Sequence, residues 1–481
     1  MHLSLRRAPV LLAAATLCVP PLAAQRYAPT TYAITNAKLV PVSGPAIPKG
    51  TIVIRDGLIA AIGANVAAPA DARIIDGTGL TVYPGLFDSY GSIGLATAGG
   101  AAGRGGAGGA AAALAAFAAP TATSGPTRGG SGATFDDPRG VDPANRAAEN
   151  VRLDEDALDG PRSGGITTAL TASGNGIFQG QSALINLEGS SPAMMIVKPN
   201  VAQHIGFSSG GRGGGGGGGY PGSLMGVFAV LRQELLDAQR YQQLKAAYDK
   251  NPRSMQRVEF DPNLEALLPV LSKQQPVVMF ANQEREIERA LDLAKEFGLK
   301  LIIAGGAEAP KMADRLKAEN VPVLLSLNFP RRTAAPAADA EPDPVRVLRE
   351  RVEAPKVPSK LANAGIKFAF ESGGLTNWTD FLGNIKKSID AGLSADAAIK
   401  AVTWQPAEIF GVSDRLGSLD VGKIANLTIT KGDITEAATR VSQLFIDGHP
   451  VTLHPPTAPA PGAGFGGGRG AATPPPAMDP E

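Results

Sequence analysis

The feature that most constrains this chain is a series of short apolar runs that alternate with helical patterns between residues 166 and 402. Ile166–Leu170, Ala193–Val197, Val277–Phe280, Leu299–Ala304, Val321–Ser326 and Ile366–Phe370 carry no polar alternation. Strands buried on both faces read this way, as in a parallel sheet covered by helices. Helical periodicity fills the intervals: Ser223 to Lys250, Glu284 to Phe297, Lys311 to Glu319, Asp380 to Ala391 and Ala395 to Val402, with Ser394 placed to cap the last. Strand–helix alternation over this length predicts a (β/α)8 barrel, with a doubly wound sheet as the competing arrangement.

Both ends of the chain turn to β patterning. Tyr32 to Val40 alternates, and Thr51 to Gly63 reads as two strands around an Asp56-Gly57 turn. Arg73 to Gly85 continues the pattern, which returns at Leu416–Thr430 and Val441–Val451. The expected fold is therefore α/β: a distorted TIM-like (β/α)8 barrel over residues 84–411. A small β-sandwich domain built from both chain ends, 30–83 and 412–454, accompanies it.

Glycine (59) and proline (39) are concentrated rather than spread. Residues 97–135 and 208–220 are expected to be flexible Gly-rich insertions, and 455–481 a disordered tail, since such composition buries too little surface to offset ordering entropy. Gly210 to Gly219 lacks the Lys-Ser/Thr of a phosphate loop. Tyr220 and Pro221 follow it as loop anchors.

At the N-terminus, Arg6 and Arg7 precede the apolar stretch Ala8 to Val19 and the small residues Ala23 and Ala24. This is the pattern of a Sec-type signal peptide over residues 1–24, and it predicts a periplasmic or secreted protein. Its removal would take Cys18, the one cysteine, and leave no thiol chemistry. No later apolar run is long enough to span a membrane. A formal net charge of +1 argues against a nucleic-acid partner.

Particular residues then carry a resemblance. Ile75-Asp76-Gly77 followed by Thr81 to Asp88 begins it. Ala391-Gly392-Leu393-Ser394, Ala397 to Thr403, Pro406 to Val412 and Arg415 to Asn426 complete it. In order and spacing these resemble the amidohydrolase superfamily, in its imidazolonepropionase-like branch, over residues 32–88 and 360–450. The resemblance implies a TIM-like barrel with a composite β domain. It also implies hydrolysis of carbon–nitrogen bonds by one or two divalent metals, zinc among them. In that family a His-x-His after the first strand, histidines from strands five and six, and an aspartate from strand eight hold the metal, which supplies a hydroxide near neutral pH.

This chain departs from the pattern at every such position. Tyr90 and Ser92 stand in the His-x-His slots, Phe280 and Gly305 in those of strands five and six, and Gly373 in that of strand eight. Outside the signal segment only His204, His449 and His454 remain, too few for the family's ligand set. No metal cofactor is expected.

The remaining candidates for chemistry are Glu371, Lys198 and His204. Glu371 is a displaced acid or a salt-bridge partner. Lys198 is a counterpart of the carboxylated lysine of some family members or a solvated strand end. His204 is a general base or a structural histidine. Asp88, Asn282 and Trp378, with Tyr90 and Phe280, are expected to line an apolar pocket at the barrel mouth. Three functional readings follow. The first is an exported, non-catalytic member that binds a small molecule or pairs with a paralogous amidohydrolase subunit or a second copy. The second is an active hydrolase of cyclic amides or dipeptides with a relocated or metal-free site. The third is a structural or assembly component.

Overall fold

The computed structural model describes residues 31–95, 138, 140–174, 176–207, 220–253, 255–332, 343–375, 377–436 and 439–453. The expected signal peptide (1–24), the expected insertion (97–135), residues 208–219, the expected tail (455–481) and His454 lie outside the described residues.

The chain begins with β1 (Tyr32–Leu39), β2 (Ile47–Arg55), β3 (Leu58–Gly63), β4 (Arg73–Asp76) and β5 (Leu80–Pro84). Between β2 and β3, Asp56 and Gly57 both adopt positive φ (51° and 80°), which matches the twist of a two-residue hairpin. The strands of the α/β region follow: β6 (Leu86–Gly91), β7 (Ile166–Thr171), β8 (Phe178–Gln181), β9 (Ala183–Asn186), β10 (Ile196–Lys198), β11 (Gln203–Ile205), β12 (Val277–Ala281), β13 (Leu301–Gly305), β14 (Val323–Ser326) and β15 (Phe368–Glu371). The chain then returns to β16 (Leu427–Lys431), β17 (Arg440–Ile446) and β18 (His449–Val451).

The two ends meet in one sheet, ordered β18-β17-β16-β5-β1-β2-β3 with β4 beside β1. The junction is the antiparallel pairing of β16 with β5, from Leu427 opposite Pro84 to Lys431 opposite Leu80. Ile34, Leu39, Ile52, Ile54, Val82, Leu427, Ile429 and Phe445 form its core and are fully buried. An asparagine-rich contact ties this sheet to the barrel. Asn426 Nδ2 donates to Asn186 Oδ1 (2.8 Å), and Asn186 Nδ2 donates to both oxygens of Asp447 (2.8 and 2.9 Å).

In the α/β region, β11 to β15 run parallel in the order β15-β14-β13-β12-β11, with β8 antiparallel at the end. A second sheet, β10-β9-β7-β6, carries the first two barrel strands. Two irregularities account for the distortion. The run Ala193–Val197 is not a parallel strand. Pro192–Met195 forms a helical turn, and β10 pairs antiparallel with β9 as an excursion from the barrel. The short strands β8, β9 and β11 carry Gln, Asn and His among their few residues, and so lack the apolar run that marks β12 to β15. Ser182 and Ala202 bridge the two sheets there through Ser182 N–H to the Ala202 carbonyl (2.9 Å).

Helices cover the parallel strands. Ser223 caps the helix Leu224–Lys250 by accepting from Gly226 N–H (3.1 Å), and Ser394 does the same for Ala395–Val402 through Ala397 N–H (3.2 Å). Glu284–Phe297 opens on a Gln283/Glu286 capping box and closes on Gly298, at φ 65°. Among the described residues no helix is long and apolar enough to cross a membrane.

Candidate functional site

Parallel register decides which side chains face the barrel interior. Val278 pairs with Ile302, Phe280 with Ala304, Ala304 with Leu324, Leu324 with Ala369, and Ser326 with Glu371. Val278, Ile302, Ala304, Leu324 and Ala369 pack with Phe87, Tyr90 and Leu170 in one buried cluster. Their neighbours Val277, Met279, Ile303, Val323, Leu325, Phe368 and Phe370 pack instead with helix residues such as Ile287 and Leu291. The inward set therefore ends, at the carboxyl ends of the strands, in Phe280, Ser326 and Glu371. His204 joins it from β11 as the partner of Val278, and β6 contributes Asp88 and Tyr90.

Asp88 is completely buried. Ser372 donates its backbone N–H to Asp88 Oδ1 and its hydroxyl to Oδ2, each at 2.8 Å. Burial pushes the carboxyl up to about 6, against the pull of the Ser372 bonds and the Tyr90 backbone N–H. Glu371, on the adjacent strand end, is 3% exposed. Its Oε2 accepts from Gly373 N–H (2.9 Å), and Ser326 also bonds the carboxyl. Burial first, and the neighbouring Asp88 second, push it up to about 8. Of the two, Glu371 is the carboxyl pushed further towards its protonated form.

Tyr90 stacks on His204, with ring centroids 5.3 Å apart and planes 7° from parallel. Burial pushes the imidazole of His204 down to about 3 and raises the Tyr90 phenol. His204 is therefore neutral and a weak base. Its Nε2 has no hydrogen-bond partner among the described residues. Phe280 is 39% exposed and forms part of the rim.

The other slot residues differ among themselves. Ser92 is exposed in the turn after β6. Gly305 sits at φ 91°, where a Cβ would come within 2.5 Å of Asn282 Oδ1. Gly373 sits at φ 62°, and a Cβ there would collide with Ser326 Oγ. The strand-eight slot is filled from the neighbouring strand.

Two sequence candidates lie elsewhere. Lys198 donates to the Phe410 carbonyl (2.7 Å). Burial and Lys300, the residue just before β13, hold its ammonium below the usual lysine range. That neighbourhood is the amino-terminal end of the strands, opposite the mouth, because β10 runs back along β9 instead of joining the barrel. Trp378 packs its ring over Gly160, in the helix Glu155–Ser163, and lines no mouth. Asn282 stays near the mouth, beside Gly305, with its backbone N–H bonded to Glu286 (2.9 Å). His449 lies on β18 in the composite sheet.

Sequence reading missed Ser326 and Ser372, whose hydroxyls bond the two acids. The available signal was a serine at or just after the end of each of the two strands.

A catalytic zinc needs about three protein ligands of imidazole, thiolate or carboxylate type. Among the described residues no group of three or more His, Cys, Asp or Glu side chains could hold a metal ion. The two carboxyls present already receive donors from Ser372, Gly373 and Ser326. The residues do not fit the metal centre that this barrel type carries elsewhere.

Residues 220–451 match the family model for the amidohydrolase family. Among solved structures, an amidohydrolase from Thermotoga maritima MSB8 superposes with a TM-score of 0.70 at 24% identity, covering 88% of this chain and 100% of that one. A prolidase complexed with N-methylphosphonate-L-proline superposes at 0.52 with 16% identity, over 88% of this chain and 100% of its own. A Xaa-Pro dipeptidase with methionine bound in its active site does so at 0.51 and 16%, with the same coverages. These likenesses establish the fold. No curated protein sequence matches the chain.

Proposed function

We propose that this chain is an exported member of the amidohydrolase superfamily without the metal-dependent hydrolytic centre, acting as a non-catalytic ligand-binding or partner subunit; the family-model match over residues 220–451 and the shared fold support the superfamily. One observation carries the reading. The strand-eight position is Gly373, packed so closely on Ser326 that an added Cβ would collide with its hydroxyl, while Ser372 donates to both oxygens of Asp88. Fold alone does not supply activity; the site must, and this one offers two buried, hydrogen-bonded acids and a neutral, stacked histidine. Export rests on the N-terminal segment Arg6 to Ala24.

Elemental mass spectrometry on purified protein, dialysed and then offered zinc, tests the reading. Metal well below one per chain, with no turnover of cyclic amides or dipeptides, is the expected result. One or two tightly held metals with turnover would overturn it.

A second reading draws on a different observation. Glu371 lies beside Asp88 and is raised further than it, and carboxyls whose pKa values are pushed apart can serve as acid and base without a metal. Turnover by the metal-free protein that disappears in Glu371→Gln would favour it. Burial of both groups weighs against it.

A further inference from the structure

On the face opposite the mouth, at the amino-terminal ends of β13 to β15, lies a groove of about 700 Å³. Lys273, Lys295, Lys300, Lys317 and Lys367 line it, against only Glu319 and Glu408. Lys367 pairs with Glu408 (3.2 Å), and Glu319 pairs with Arg315 (2.8 Å). The other four lysines have no carboxylate within 4 Å among the described residues. The whole chain carries a formal net charge of only +1, so this concentration is local and does not follow from a basic composition.

Helix ends account for part of the arrangement. Lys273 Nζ lies 3.6 Å from the position a Cβ would take on Gly298, and Lys317 Nζ lies 3.7 Å from that on Gly365. These glycines end the helices Glu284–Phe297 and Val357–Ala364. Terminal carbonyl dipoles attract ammonium groups there. Lys300 has no such explanation. It directly precedes β13, and its charge reaches the half-buried Lys198. Like charges gathered around one concavity repel one another, and a multiply charged anion removes that repulsion. The volume lies within the range of small-molecule sites.

We propose that this groove is a binding site for a compact polyanion of the polyphosphate type, separate from the barrel mouth and independent of whether the mouth has any chemistry. Lys273, Lys295, Lys300 and Lys317 bring charge without a carboxylate partner to this one concavity, beside the glycines that end the two helices.

Isothermal titration of the purified full chain with inorganic tripolyphosphate tests this, with sulfate at matched ionic strength as the reference. The expected result is saturable one-to-one binding, weakened at least tenfold by Lys300→Gln with Lys317→Gln. Lys49→Gln with Lys431→Gln, which removes an equal charge from the composite sheet, should leave it unchanged. Lys273→Gln with Lys295→Gln provides the same test should the first pair fail to fold. Tripolyphosphate binding no tighter than sulfate, or equal losses in the Lys49 and Lys431 double variant, would overturn the proposal. Tighter binding of a hexaglutamate peptide would also overturn it, by making the groove a protein-docking surface.

Discussion

Ser372 gives both of its hydrogen-bond donors to a single carboxylate, N–H to Asp88 Oδ1 and hydroxyl to Asp88 Oδ2, each at 2.8 Å. The two residues are 284 positions apart and lie at the seam between β6 and β15. Those strands belong to separate hydrogen-bonded sheets among the described residues, so this clasp stands where a strand ladder would otherwise join first and last barrel strands.

Asp88→Ala should therefore be strongly destabilising, by about 2–4 kcal/mol, because it strands two buried donors of Ser372 at a seam with no ladder behind it. Asp88→Asn should cost less, since its amide oxygen still accepts one of them. Urea unfolding of the three proteins measures this. A loss below about 0.5 kcal/mol for the alanine variant would show that the seam does not depend on the clasp.

Glu371 sets a pH dependence on the alkaline side. Its folded pKa is raised from an ordinary 4.5 to about 8, so the folded state holds the proton more tightly than the unfolded chain. Its contribution is fully present below about pH 4.5 and is lost as pH rises through 8. Glu371→Gln should abolish that loss, and its stability should gain on the wild type steadily from pH 5 to pH 8. Parallel curves for the two proteins over that range would refute the assignment.

His204 acts with the opposite sign. Its folded pKa is lowered from 6.5 to about 3, so it contributes stability above pH 6.5 that is lost as pH falls towards 3. His204→Phe keeps a ring against Tyr90 and has no proton to take up. Thermal melts between pH 6.5 and 3.5 should show the variant declining less steeply than the wild type.

Restoring an aspartate at the vacant strand-eight slot should fail. Gly373→Asp places a side chain at φ 62° and into Ser326 Oγ, at a cost of roughly 1–3 kcal/mol. Adding Ser326→Gly should recover part of that loss and still bind no zinc, since the other slots remain Tyr90, Phe280 and Gly305. Tight zinc binding by the double variant would contradict this account of the mouth.

Much of this organisation was legible. The apolar runs of β12 to β15 persist as buried parallel strands, and the paired turn residues Asp56 and Gly57 mark their hairpin. Lys198 misled because Met195 to Val197 is apolar, yet Pro192 starts a helical turn and the strand that follows runs back along β9. Trp378 misled because a large aromatic beyond β15 suits a barrel mouth as well as a helix face, and only the bare Gly160 surface decided between them.

By itself the sequence determined the alternation of strands and helices, the β character of both ends and the scarcity of imidazole, with four histidines in the whole chain. Those are properties of residue type and of spacing over a few positions, which local chemistry dictates. Only the tertiary structure decided that Asp88 is clasped by Ser372, that Ser326 fills the space beside Gly373, and that four lysines without a carboxylate partner, from separate helices and loops, line one groove. Each of these joins residues far apart in the chain, and their proximity depends on parallel register and strand order, which no local window of sequence contains.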